Sequence, residues 1–127
     1  MALNLDSYRV ISANIVNEKE PAENTHTKLS YQYGIRIEDE THCSVRCICS
    51  LFLQEEENTD DKSFYVEVVV DGIFTHSDMN DPDLRRNGAA QLFPLLRSHI
   101  ATLMAAAGMD PIVIPISQLK DFSDIAL

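Results

Sequence analysis

Between residues 28 and 38, apolar and polar positions alternate without a break. Leu29, Tyr31, Tyr33, Ile35 and Ile37 share one parity, and Lys28, Ser30, Gln32, Arg36 and Glu38 share the other. A period of two over that length predicts a β-strand with one face wet. The same rule predicts a strand over residues 43–53. Cys43, Val45, Cys47, Cys49, Leu51 and Leu53 point one way there, Ile48 and Phe52 the other. A further strand is expected over residues 64–70, with Phe64, Val66, Val68 and Val70 inward and Tyr65, Glu67, Val69 and Asp71 outward. The short turn at 39–41 and the acidic run 55–61 join these segments into an antiparallel meander. Residues 7–16 carry Val10, Ile11, Ile15 and Val16 and read as an earlier strand. The polar stretch 17–27, with Pro21 and several Glu, is long for a hairpin turn. The first strand is therefore expected to return to an edge of the meander, Greek-key-like, rather than pair with its neighbour in sequence.

After Gly72, Ile73 and Phe74 the period changes. Asn80 or Asp81 suits a helix cap, Pro82 a first helical position and Asp83 the positive end of the dipole. Gly88 is expected to interrupt the helix. A longer run over 89–107 repeats Leu92, Leu96, Ile100, Leu103 and Ala107 at spacings of three and four. Pro94 predicts a kink or a restart, and Gly108 a C′ stop with Pro111 beyond it. Residues 111–116 read as extended and apolar. Ser117 is expected to cap a short last helix bearing Leu119, Phe122 and Ile125. Strands first and helices last predict an α+β domain: a four-stranded antiparallel sheet with C-terminal helices on one face.

The 127 residues fit one domain, 1–127, able to bury roughly two-thirds of its unfolded surface. Twenty acidic against ten basic residues leave a formal net charge of −10. That argues against nucleic acid, whose phosphates require Lys and Arg, and against anionic membrane surfaces. No stretch approaches the ~20 apolar residues of a membrane span, so no membrane insertion is expected. The first six residues lack a basic region followed by an apolar block, so no signal peptide is expected. Three cysteines within one short segment suit reduced thiols better than a disulfide framework. A cytoplasmic protein is expected.

Alternate cysteines on a strand suggest a metal, but structural zinc takes paired ligands from two segments, and there is no second cluster. Buried apolar thiols are the expected reading. Residues 78–83 imitate a calcium loop but place Pro82, Asp83 and Ala89 where an oxygen ligand, glycine and glutamate belong. Helix capping accounts for those acids instead. His26, His42, His76 and His99 have no triad-like context, and no nucleotide or nucleophile motif is present. No catalytic residue, metal or cofactor is expected. An enzyme or small-ligand binder would need a polar pocket around His76 and Asp78. Outward Ile48, Phe52, Tyr65 and Val69, with Phe93, Ala101 and Ala105 on the long helix, add apolar surface that points to association. The alternative is that residues 17–27 and the C-terminal segment cover them.

Residues 64–74 (FYVEVVVDGIF), a short helix, then Leu92-Phe93-Pro94 with Arg97, resemble the export chaperone SecB. The continuation from Gly108 through Pro111-Ile-Val-Ile-Pro115-Ile116-Ser117 is similar too, so the likeness covers about half the chain, residues 63–119. It suits a small SecB-like branch known from Gram-positive bacteria. The resemblance implies a homo-oligomer, dimer or tetramer, that binds unfolded or extended polypeptide without ATP in apolar grooves. It also implies an outer sheet face that docks the export motor SecA, with Glu67 at an acidic position and Tyr65 two residues before it. Residues 17–27 would be the crossover loop. No basic, cysteine-containing tail of the kind many SecB proteins use toward SecA is present in the sequence. On this reading Tyr31, Tyr33, Phe52, Ile116, Leu119 and Phe122 are the candidate groove residues, and acidic loops rim the surface. The alternative is a non-enzymatic partner-binding subunit or antitoxin-type accessory protein with a SecB-like fold.

Overall fold

The three alternating segments become three neighbouring strands. The computed structural model describes residues 3–18, 29–52 and 64–108, and the backbone alone of 26–28, 53–54, 60–63 and 123–124. Its elements are β1 (Asn4–Asn17), β2 (His26–Ile37), β3 (His42–Gln54), β4 (Asp60–Thr75), α1 (Leu84–Ala106) and β5 (Ser123–Asp124). The sheet order is β1-β4-β3-β2-β5. The four long strands pair antiparallel, and β5 pairs parallel to β2. The first strand thus lies against β4 and not against β2, as the long connection predicted.

Side-chain parity sorts the sheet into two faces. Cys43, Val45, Cys47 and Cys49 of β3 and Phe64, Val66, Val68, Val70 and Phe74 of β4 are fully buried on the face that meets α1. The helix answers with Leu84, Ala89, Leu92, Phe93, Leu96, Ile100 and Met104. Burying each large side chain of this layer stabilises the fold by about 1.5–3 kcal/mol relative to exposure. The inward thiols are free and act as small apolar side chains.

Four local expectations change. Helix α1 runs through Gly88 and through Pro94 without interruption or restart. Gly88 lies close against the sheet: a Cβ there would lie 2.7 Å from the Val45 Cγ2. The helix starts at Leu84, behind Asp83 at the N-cap, with no side-chain cap. Asp78 and Asp81 accept backbone N–H bonds from Asn80 and Asp83 instead, both at 2.9 Å, so they shape turns before the helix. Positions 123–124 of the expected last helix are extended and join the sheet. The remaining positions of that helix, and residues 111–116, lie outside the described residues. One helix, not several, packs on the sheet among the described residues. Gly108 does stop α1: its φ is +78°, and its N–H reaches the Ala105 carbonyl at 3.0 Å.

β1 is longer than expected because two register shifts, between Leu5 and Ser7 and between Val10 and Ser12, break its alternation. Asp6 and Ile11 are the extra residues of these bulges. Val10, Ala13 and Ile15 thereby oppose inward Val70, Val68 and Val66, while Val16 opposes outward Tyr65.

Candidate functional site

The site builds from β2 and the part of α1 above it. Tyr31 and Tyr33 point under the helix and are 3% and 7% exposed. The Tyr31 hydroxyl donates to the Ala89 carbonyl at 2.9 Å, tying strand to helix through a buried bond. Its ring meets Phe93 edge-on with centroids 5.2 Å apart, and Tyr33 stands 6.2 Å away. The guanidinium of Arg85 lies 6.0 Å from the Tyr33 ring centroid and that of Arg97 5.8 Å from Phe93. Beyond this layer the outer edge of β2 receives β5, with Gln32 paired to Ser123 and Tyr33 to Asp124. An extended segment therefore adds to the sheet beside the aromatic layer.

Phe52 does not join this group. It sits on the opposite face, in register with Tyr65, and is 7% exposed. The even parity of Phe52 on β3 places the whole sheet between it and the two tyrosines. Ile116, Leu119 and Phe122 lie outside the described residues.

Tyr65 and Glu67 share the outer face with Phe52. The Tyr65 hydroxyl donates to Glu67 Oε2, which also accepts the Ser50 hydroxyl at 3.2 Å. Burial, and then Glu67, raise the Tyr65 phenol above its ordinary range. A carboxylate engaged by two hydroxyls is held in place rather than projecting freely. Of the outward residues expected to be exposed, Phe52 and Val69 are buried and Ile48 and Tyr65 half-buried. Among the described residues, the exposed large apolar side chains are Tyr8, Ile11 and Val16 of β1, with Ile37 and Ile73. Phe93, counted toward an outer apolar arc, is fully buried.

A polar hollow of about 320 Å³ does exist at His76, lined also by Asp81, Leu84, Asn87 and Gln91. His76 Nε2 lies 3.3 Å from Asp81 Oδ2, and Asp81 replaces the expected Asp78. Gln91 is already engaged, donating to the Leu3 carbonyl at 2.9 Å. No group of three or more metal-ligating side chains occurs among the described residues.

The buried thiols carry a pH signature. Burial pushes Cys47 and Cys49 up to about 12, partly opposed at Cys47 by its hydrogen bond with Tyr31. Folded values above unfolded ones mean the native state keeps protons that the unfolded chain releases in alkali. This stabilisation is complete below the unfolded thiol value of about 8.5 and is lost as pH rises toward the folded values. The thermal midpoint is therefore expected to fall between about pH 8.5 and 11, with native thiols reacting slowly with a disulfide reagent at about pH 8. A flat midpoint across that window, or rapid native labelling, would show the thiols to be accessible.

No protein-family model and no curated protein matches the chain. Among solved structures, the Mycobacterium tuberculosis Rv1957 SecB-like chaperone, in complex with a ChAD peptide from the Rv1956 HigA1 antitoxin, superposes with a TM-score of 0.64 at 18% identity. The match covers 89% of this chain and 88% of that one. The fold is SecB-like. A Streptococcus agalactiae protein of unknown function is also similar at 14% identity, covering 91% of this chain and 94% of its own, with a TM-score of 0.37. In the SecB-like frame, the described residues supply four long antiparallel strands with one helix packed upon them, and β5 adds at the β2 edge. None of their helices is long and apolar enough to cross a membrane.

Proposed function

We propose that the chain is a SecB-like, ATP-independent binder of unfolded or extended polypeptide, acting without a catalytic residue or cofactor. The observation that carries this reading is the pairing of Ser123–Asp124 with β2. That edge takes extended backbone beside an aromatic layer, and strand addition of this kind gives affinity through main-chain bonds with little dependence on sequence. Tyr31 and Tyr33 are occupied by contacts within the chain. Their role is to hold β2 rigidly in place for a client, and Ile116, Leu119 and Phe122 are kept as proposed apolar client contacts. Phe52 belongs instead with Tyr65 and Glu67 on the outer face, the surface proposed to dock the export motor SecA. Self-association as a dimer or tetramer is proposed at β1, which is at the end of the sheet order and carries the exposed side chains of Tyr8, Ile11 and Val16. The chain is proposed to work as one cytoplasmic domain.

A second reading, favoured by the antitoxin peptide bound in the Rv1957 structure, is an accessory protein dedicated to one partner. Dilution of a chemically denatured model protein into nucleotide-free buffer separates the two. A general chaperone suppresses the light scattering of several unrelated clients at near-stoichiometric amounts. A dedicated accessory leaves all of them to aggregate and retains one stoichiometric band in a pull-down.

A further inference from the structure

The sheet face turned away from α1 carries a positive patch that the overall charge conceals. Arg9 of β1 and Arg46 of β3 both stand in register with Asp71 of β4. Arg36 of β2 lies diagonally beside Arg46, because Arg36 pairs with Ser44 while Arg46 pairs with Gly34. The three guanidinium groups line an open hollow of about 480 Å³, floored in part by Ile73, which is 38% exposed. Asp71 is spent on Arg46, gripped through Nε at 2.7 Å and Nη2 at 2.9 Å. Glu38, also at the rim, accepts the Ser44 hydroxyl at 3.2 Å. Arg9 and Arg36 are exposed and form no ion pair among the described residues. Three cations thus face two carboxylates, in a chain whose net charge is −10.

We propose that this hollow docks an acidic, extended segment of a partner polypeptide, its carboxylates on Arg9 and Arg36 and an apolar side chain on Ile73. Arg46 shows the mode, since a guanidinium fork on this face already holds a carboxylate through two parallel bonds. Spacing fits as well. Arg9 and Arg36 are three strand intervals apart, about 15 Å, the reach of four to five residues of extended chain. Acids separated by that interval meet both free cations while the segment crosses the Arg46–Asp71 pair. A polyphosphate is a poor occupant. Each of its phosphates needs a cation, and the remaining negative charge of this chain repels it. A short acidic stretch in an otherwise neutral partner avoids that repulsion. The surface lies on the other side of the sheet from the β2–α1 layer and does not depend on the client reading.

Fluorescence anisotropy at about 50 mM salt tests the proposal, with a labelled ten-residue peptide of serine and threonine that carries two glutamates four residues apart and a valine between them. Arg9→Glu and Arg36→Glu are each expected to weaken binding about tenfold or more, with the wild-type affinity falling as salt is added. Arg86→Glu, an exposed position on α1, makes the same net-charge change and is expected to shift affinity less than about twofold. Circular dichroism confirms that each variant is folded. Equal losses in all three variants would reduce the effect to net charge and overturn the proposal. So would absence of peptide binding to the wild type, or tighter binding of a single-stranded oligonucleotide than of the peptide.

Discussion

Replacing Phe93 with alanine is expected to destabilise the fold by about 3–5 kcal/mol, the range for deleting a fully buried aromatic ring. Phe93 is fully buried and closes the layer between α1 and β2. Its loss removes the edge-on contact with Tyr31 and the surface beneath Arg97. Tyr31 is also fixed at its hydroxyl by Ala89, so it cannot swing across to fill the void without giving up a buried hydrogen bond. Collapse is blocked, and the cavity term is retained almost in full. A domain of this size has about 5–15 kcal/mol to lose, so the thermal midpoint is expected to drop by roughly 10–20 °C. Thermal unfolding followed by circular dichroism reads the change. A loss below about 1 kcal/mol would mean that the helix is not seated on β2 as described.

Gly88→Leu is the second large effect, and its sign opposes intrinsic propensity. In an exposed helix interior, leucine is more favourable than glycine by nearly 1 kcal/mol. At Gly88 the first side-chain carbon already falls 2.7 Å from Val45 Cγ2, and Val45 is fully buried in a central strand. Val45 is β-branched and has little rotamer freedom with which to yield, so the helix must lift or the strand must bend. The net cost is expected to exceed about 3 kcal/mol, at the upper end for overpacking. Gly88→Ala would show a smaller loss, offset in part by propensity. If Gly88→Leu instead raised the denaturation midpoint, the close approach of α1 to β3 would be wrong.

The strands β2, β3 and β4 are legible because their sequences alternate, and the inward parity is the more buried one even though Phe52 and Val69 are buried on the outer face as well. Cys43 through Cys49 and Phe64 through Val70 could be assigned to the core from parity alone. β1 is less legible, since bulges at Asp6 and Ile11 shift its parity twice. The helix start was displaced because aspartates cap turns and helices with the same chemistry, and Asp78 and Asp81 close turns. Gly88 reads as a helix breaker in sequence, but its reason is a tertiary contact that no local pattern contains.

The candidate site follows the same logic. Tyr31 and Tyr33 were identifiable as neighbours, and the outward parity of Phe52 already separated it from inward positions on its own strand. Which face of β2 matched which face of β3 depends on register, and that appears only when Tyr31 is seen opposite Cys49. The arginine patch was hidden for both reasons. Arg36 and Arg46 sit at outward positions, yet their proximity is a matter of register, and Arg9 is brought into line by a bulged strand. The His76 hollow had a signal in the neighbouring His and Asp residues, with Asp81 rather than Asp78 as the partner.

As proposed above, this SecB-like fold binds extended polypeptide in the absence of nucleotide. Equilibrium titration of a labelled, permanently unfolded polypeptide of near-neutral charge reads that binding. The expected result is saturable binding with a Kd of about 1 μM or tighter, unchanged by ATP. It should persist in Arg36→Glu, whose substitution lies on the opposite face of the sheet. No binding up to about 100 μM protein, or binding that requires ATP, would contradict the claim.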